Sequence, residues 1–312
     1  MPSTEHNTVA ADLGGVTVMV PEGGLYDRYR MNTDLDEVAR DPRVHSVDYF
    51  RQLPKAEVDS RIGTTRTPNF YYRLSSARLT MLAPTRAIRS RLPAELAPLE
   101  VIPGLGLVSV MFFSYDICDI DAYTEAAVGI AVRPAQHRRL GFVDLLAALG
   151  NDDFDSYVVS LPVNTDIAYV RGHDGYGFPK WRTDIEVDID SDRATGHVAN
   201  SAGGTDLSLS VATPAQTAYP SGERISTLTS YTKIDHAWHA ILGQTNVLST
   251  GSAALPRRAQ LRVGRGRMAD DLRSLKPIKT IRLDVTTEAQ LALHMPVPIS
   301  VPTRARDDHR RR

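Results

Sequence analysis

Gly172-His173-Asp174-Gly175-Tyr176-Gly177-Phe178-Pro179-Lys180-Trp181 is the stretch from which the rest of the chain is read. Its three glycines, Gly172, Gly175 and Gly177, let the backbone take positive φ or pass close to another surface. Pro179 fixes its own φ, withholds a donor and biases Phe178 toward an extended conformation. Lys180 follows, set between Phe178-Pro179 and Trp181. An ammonium among aromatic groups loses hydration, which lowers a lysine's pKa. A lysine that is neutral near pH 7 is a nucleophile that forms Schiff bases with carbonyl substrates. Only five lysines (Lys55, Lys180, Lys233, Lys276, Lys279) stand among 36 basic residues, so a lysine in this setting invites a chemical explanation. The alternative on local grounds is a stem laid over an aromatic surface with its charge sent to water.

Outward from this stretch the chain reads as β. Upstream, 157–163 and 167–170 are strand-like, and 141–149 is an expected helix ending at Gly150. Residues 107–115 form a strong, largely buried strand, and 123–132 a second that begins with Glu125. A carboxylate opening an apolar strand either needs a buried partner or sits in solvent at a rim. Residues 70–74 and 77–82 read as strands stopped by Pro84, and 85–92 as a short helix closed by Pro93. Downstream, 183–190 alternates strictly as a half-exposed strand does. Residues 196–200, 206–211, 226–234 and 259–263 continue a meander of short strands. The expected helix 268–275 is then followed by 278–293 as one or two strands. The spacing of His236 and His239 around Trp238 suggests a metal pair only weakly, since no third ligand stands nearby, and core or surface histidines are the better reading.

At 312 residues the chain is long enough for a substantial core, and its formal net charge of −1 does not suit nucleic acid or an anionic membrane. Cys118 is the single cysteine, which leaves no disulfide framework and no thiolate metal site. No apolar run approaches the roughly 20 residues of a membrane span, and the first residues lack a signal-peptide pattern. A cytoplasmic protein is the expectation. No phosphate loop, nucleophile elbow or His-Glu-x-x-His is present, and no motif asks for a cofactor or a metal. Residues 1–65 read as an N-terminal extension: a β run at 16–20, a Gly23-Gly24 turn, and short helices at 33–40 and 46–55. Residues 66–300 form the β domain, and 301–312 a disordered basic tail. Many short strands, few helices and no βαβ alternation predict a mainly β protein, an antiparallel barrel or layered fold with small helices.

Gly172 through Lys180 resembles the active-site segment of the acetoacetate decarboxylase family, where a glycine-led turn precedes aromatic-Pro-Lys. Asp121-Ala122-Tyr123-Thr124-Glu125 resembles that family's Tyr-Thr-Glu segment, and 267–281 its C-terminal helix leading into the last strands. The resemblance covers about 70–298. It implies an antiparallel β-cone or barrel with a buried pocket, a homo-oligomer, and a small-molecule carbonyl substrate. Lys180 would attack a ketone to give an iminium, and Glu125 would orient substrate or move protons. Tyr123, His173, Phe178 and Trp181 are the expected substrate-binding residues. The departures are specific. Trp181 stands where decarboxylases carry a second lysine, and His173 stands where the family's turn has arginine. Thr80-Met81-Leu82-Ala83 is apolar where the family has an arginine, and a second family glutamate falls near Val110. The expectation is therefore a Schiff-base lyase acting on a keto acid or related carbonyl compound by decarboxylation or aldol-dehydration chemistry, with acetoacetate itself the less favoured substrate. A non-catalytic binding or oligomerisation protein on the same fold is the alternative.

Overall fold

A computed structural model describes residues 7–134, 153–256 and 259–300. The helix expected at 141–149, the tail 301–312 and the first six residues lie outside these.

Seven strands close into a barrel in chain order: β1 (Asn69–Pro84), β2 (Leu105–Cys118), β3 (Tyr123–Pro134), β4 (Asp153–Val163), β5 (Ile225–Ile234), β6 (Ala237–Ala254) and β7 (Lys279–Leu293), with β7 pairing back to β1. A ring with an odd number of strands cannot be antiparallel throughout, because direction alternates at every step. The parallel join falls between β4 and β5, where Asp153 to Ser156 face Thr227 to Ser230. Parallel neighbours need a long crossover connection, and residues 164–224 supply it. That crossover carries the glycine-rich turn and Lys180.

β4 pairs with β5 only through its first residues. Beyond them, Leu161–Val163 instead take the short strand Lys180–Arg182 in parallel. Thr232 of β5 donates its hydroxyl to the Gly177 carbonyl at 2.7 Å, tying the turn to the other side of the gap. Gly177 has φ +72°, and a Cβ there would lie 2.7 Å from Ile234 Cγ1, so both the backbone conformation and the fit require glycine.

Strand periodicity sorts the barrel's side chains onto two faces. On the outer face Leu79, Met81, Val108, Val110, Phe112, Val128 and Ile130 are buried beneath a four-stranded antiparallel sheet (Ile185–Ile189, Arg193–Ala199, Thr205–Ala212, Gln260–Val263) and the helix Arg267–Ser274. Asp206, on that sheet, caps the helix by accepting from the Met268 and Ala269 amides at 3.0 and 2.7 Å. On the inner face Phe113, Ala127, Leu161, Ile241 and Leu293 pack together with Tyr176 and Phe178. These residues come from strands on opposite sides of the ring, so they meet in its lumen.

Residues 7–67 cover the barrel end at which β2 turns into β3. The hairpin Thr8–Leu13/Val16–Pro21, three short helical turns and the hairpin Ala56–Ser60/Gly63–Thr67 bring Tyr26, Met31 and Ile62 against Tyr71, Cys118, Tyr123 and Val163. Beneath them Asp119, fully buried, accepts from Thr33 Oγ1 (2.7 Å), Tyr72 Oη (2.6 Å), the Phe70 amide (2.6 Å) and the Lys55 ammonium.

Several elements differ from the sequence reading. Residues 167–170 belong to a helix, Asp166–Val170, rather than a strand. The two strands expected over 70–82 are one continuous strand, and the helix expected at 46–55 is the single turn Asp48–Arg51. The 18-residue β6 was not expected, because its glycines and small polar residues show no clean alternation and its pairing to β7 is broken by register shifts.

Candidate active site

The helix Asp166–Val170 runs straight into a single wide turn, Arg171–Gly175, in which the Tyr176 amide reaches back five residues to the Arg171 carbonyl at 3.0 Å. Such single π turns are frequent at functional sites. The Phe178 amide then bonds the Gly172 carbonyl at 2.9 Å, folding the segment back so that Lys180 passes directly over Gly172. A methyl group at Gly172 would overlap Cδ and Cε of Lys180. Glycine is there because the lysine stem occupies that space.

Lys180 is the register partner of Leu161, whose side chain lies in the lumen. Its Nζ lies 2.6 Å from Glu125 Oε2, and both side chains are more than nine-tenths buried, at 6% and 8% exposure. Glu125 sits on the inner face of β3, across from Phe113 of β2 and Val163 of β4. Its other oxygen accepts from Tyr115 Oη at 3.2 Å. A buried ion pair is poor evidence of stability, since desolvation offsets most of the attraction. Isolating one in an apolar lumen is instead a frequent signature of chemistry.

Three tyrosines back the carboxylate. Tyr115 lies between Tyr71 and Tyr123, with ring centroids 4.6 and 4.5 Å away, and the Tyr71 and Tyr123 hydroxyls are 3.1 Å apart. The Lys180 ammonium lies 5.6 Å from the centre of the Tyr123 ring. Burial pushes all three phenols well above their usual 10.0, and the neighbouring Glu125 charge pushes in the same direction. They therefore remain neutral hydrogen-bond donors.

The expected residues divide into two groups. Lys180, Glu125 and Tyr123 come together, and Phe178 joins them through the lumen cluster, with its ring stacked on Tyr176 at 6.1 Å. Trp181 does not. Adjacent strand residues point to opposite faces, so Trp181 packs with the outer layer, with the Arg267 guanidinium 4.1 Å above its ring. His173 is also turned away: its side chain is 46% exposed, bonded to Asp174 at 2.7 Å and stacked on Tyr169. Val110, where a second glutamate was sought, lies on the outer face, so its apolar character says nothing of the lumen. Tyr71 and Tyr115 are the neighbours that sequence reading missed. The inward parity of 111, 113 and 115 in β2 was the available signal for Tyr115. Among the described residues no cluster of three or more side chains could hold a metal ion, and no helix is long and apolar enough to cross a membrane.

A family model described as Acetoacetate decarboxylase (ADC) matches residues 63–293. Among solved structures, one from structural studies of an acetoacetate decarboxylase is similar with a TM-score of 0.53 at 15% identity, over 74% of this chain and 89% of that one. An acetoacetate decarboxylase from Legionella pneumophila gives 0.53 at 11% identity, over 75% and 87%. The enduracididine biosynthesis enzyme MppR, complexed with pyruvate, gives 0.52 at 14% identity, over 75% and 91%. These likenesses show the fold. Among curated proteins none matches the chain.

Proposed function

The chain belongs to the acetoacetate decarboxylase family, and from that premise we propose that it is a Schiff-base lyase acting on a small keto acid or related carbonyl compound through Lys180. The observation that carries this reading is the buried 2.6 Å contact between Lys180 Nζ and Glu125 Oε2 within the family's glycine-led lysine segment. A protonated lysine is not a nucleophile, and the contact provides the remedy. Proton transfer from Nζ to Oε2 leaves a neutral amine beside a carboxylic acid, both acceptable in an apolar lumen. The amine attacks the substrate carbonyl to give a carbinolamine. Glu125 returns its proton to the departing oxygen, water leaves, and an iminium forms on Lys180. The iminium then accepts the electron pair released when a bond at the adjacent carbon breaks, or supplies an enamine that attacks a second carbonyl. Tyr115 holds Glu125 in place throughout.

Both fates are represented among the similar structures, which include acetoacetate decarboxylases and an MppR complex with the condensation product of pyruvate and imidazole 4-carboxaldehyde. Either fate proceeds from the same iminium on Lys180, and Trp181, which faces the outer layer, does not choose between them. Subunit association belongs to the same reading.

Incubation with pyruvate or acetoacetate and borohydride should add the reduced adduct to the peptide that carries Lys180. Labelling spread over Lys55, Lys233, Lys276 and Lys279, or unchanged in Lys180→Ala, would overturn the proposal.

A further inference from the structure

The barrel end opposite residues 7–67 carries three aliphatic side chains turned to water. Ile102, Leu255 and Ile278 are 54%, 52% and 62% exposed. They stand at the ends of consecutive strands. The Leu255 amide, just past β6, bonds the Ile281 carbonyl of β7 at 2.9 Å, and the Ile278 amide, just before β7, bonds the Leu82 carbonyl of β1 at 2.8 Å. On the other side of β1, Pro84 pairs with Leu105 of β2, and Leu105 pairs with Ile102. Single exposed aliphatics need no explanation, but neighbours along one rim form a patch.

The charges around the patch are of one kind. Of the five lysines, Lys55, Lys180 and Lys233 are each paired with a carboxylate. The other two, Lys276 and Lys279, flank Ile278, are exposed, and make no ion pair among the described residues. Arg86 joins them: it is exposed and unpaired among the described residues, and its neighbour Thr85 bonds the Gly104 carbonyl beside the Ile102 turn at 2.8 Å. Asp270 and Asp271, which precede Lys276, are held by Arg273 and Arg91. That leaves three free cations against one carboxylate, Glu100, two residues before Ile102. Leu255 and Lys276 also stand at φ +47° and +53°, a backbone region that such residues seldom enter, so both turns fix where these side chains project.

Aliphatic tips set among unpaired cations suit a surface that is apolar below and anionic above. A second copy of the chain suits them poorly, because an isologous contact sets the same positive patch against itself. We propose that this rim is a docking surface for an anionic lipid bilayer, with Ile102, Leu255 and Ile278 entering the headgroup boundary and Arg86, Lys276 and Lys279 facing the lipid phosphates and carboxylates. The formal net charge of −1 gives the chain as a whole no such attraction. The contact is local, within the Debye length of about 10 Å at 0.1 M salt.

Co-sedimentation with vesicles tests it, using phosphatidylcholine alone and phosphatidylcholine with about one-third phosphatidylserine. At about 0.1 M salt the chain should bind the anionic vesicles and not the neutral ones, and about 1 M salt should release it. Lys276→Gln and Lys279→Gln should each raise the half-saturating lipid concentration about fivefold, the scale of one charge near an anionic surface. Ile278→Ser combined with Ile102→Ser should weaken binding further at unchanged charge. All four side chains are exposed, and circular dichroism checks that each variant is folded. Binding to neither vesicle, equal binding to both, or lysine variants that bind as the wild type does would overturn the proposal. So would a changed sedimentation coefficient of the isoleucine variant without lipid, since the rim would then be a contact between subunits.

Discussion

Glu125 accepts from Lys180 with one oxygen and from Tyr115 with the other, and each donor has a separate consequence. Glu125→Gln keeps the shape but cannot take the ammonium proton. Pyruvate turnover should fall at least ~100-fold, the scale of a lost acid–base group, and borohydride trapping at Lys180 should slow with it, since the iminium forms through the same proton. Unaltered steady-state rates would remove Glu125 from the chemistry. The tyrosines carry a pH dependence of stability. Tyr71, Tyr115 and Tyr123 have phenols raised well above the usual 10.0 by burial. Above about pH 10 the unfolded chain has lost phenolic protons that the folded chain keeps, so stability declines as pH rises. The contribution is fully present below that value. Chemical denaturation at pH 8 and pH 10.5 should show the loss, and Tyr71→Phe should reduce it. A pH-independent midpoint would contradict the burial assignment. In the sequence Glu125 was open to two readings, buried partner or solvent rim, because nothing local says what lies across the ring from it. Lys180, 55 residues away along the chain, closes that question.

The short strand Lys180–Arg182 separates two residues that the sequence made neighbours. Lysine faces the lumen and tryptophan the outer layer, so the aromatic wall expected from Trp181 is supplied instead by Phe178 and Tyr123. Trp181→Ala should therefore leave the pH profile of trapping at Lys180 in place and lower stability by about 2 kcal/mol, roughly half the cost of emptying a core tryptophan site. An acidic limb displaced to higher pH would return Trp181 to the site. Gly172→Ala tests the opposite case. Its methyl group would take the space of the lysine stem, and a displacement of about 1 Å costs on the order of 100-fold in rate. Trapping should be lost with much of the fold intact by circular dichroism, and retained trapping would mean the stem has another path. Elements with a single clear period, such as β2 and 185–189, were legible. Residues 167–170 were not: four apolar residues fit a strand or a helical turn equally. Asp166 in the first turn and the wide turn that follows decide for helix.

For the whole molecule, the odd strand number forces one parallel join, the join requires a crossover, and the crossover delivers Lys180 to the gap between β4 and β5. Residues 7–67 seal the end beside it, joined to the barrel through the buried Lys55–Asp119 pair. Removing one member of such a pair strands the other in a dry site. Asp119→Asn should cost about 3–5 kcal/mol and speed hydrogen exchange in residues 7–67 before the barrel opens. Uniform exchange across the chain would show that this segment does not open separately.

What the sequence determined by itself was local: mainly β character from short alternating runs, a lysine set among glycine, proline and aromatic neighbours, and a carboxylate at the head of an apolar strand. Its resemblance to a known family also pointed to the barrel, which the closed ring of seven strands bears out. Only the tertiary structure decided which residues share the lumen. Facing in a strand depends on register, and register follows from pairing with strands far away in the chain. That is why Tyr71 and Tyr115 reached the neighbourhood of the site unannounced, and why Trp181 and His173, close in sequence to Lys180, turned away from it.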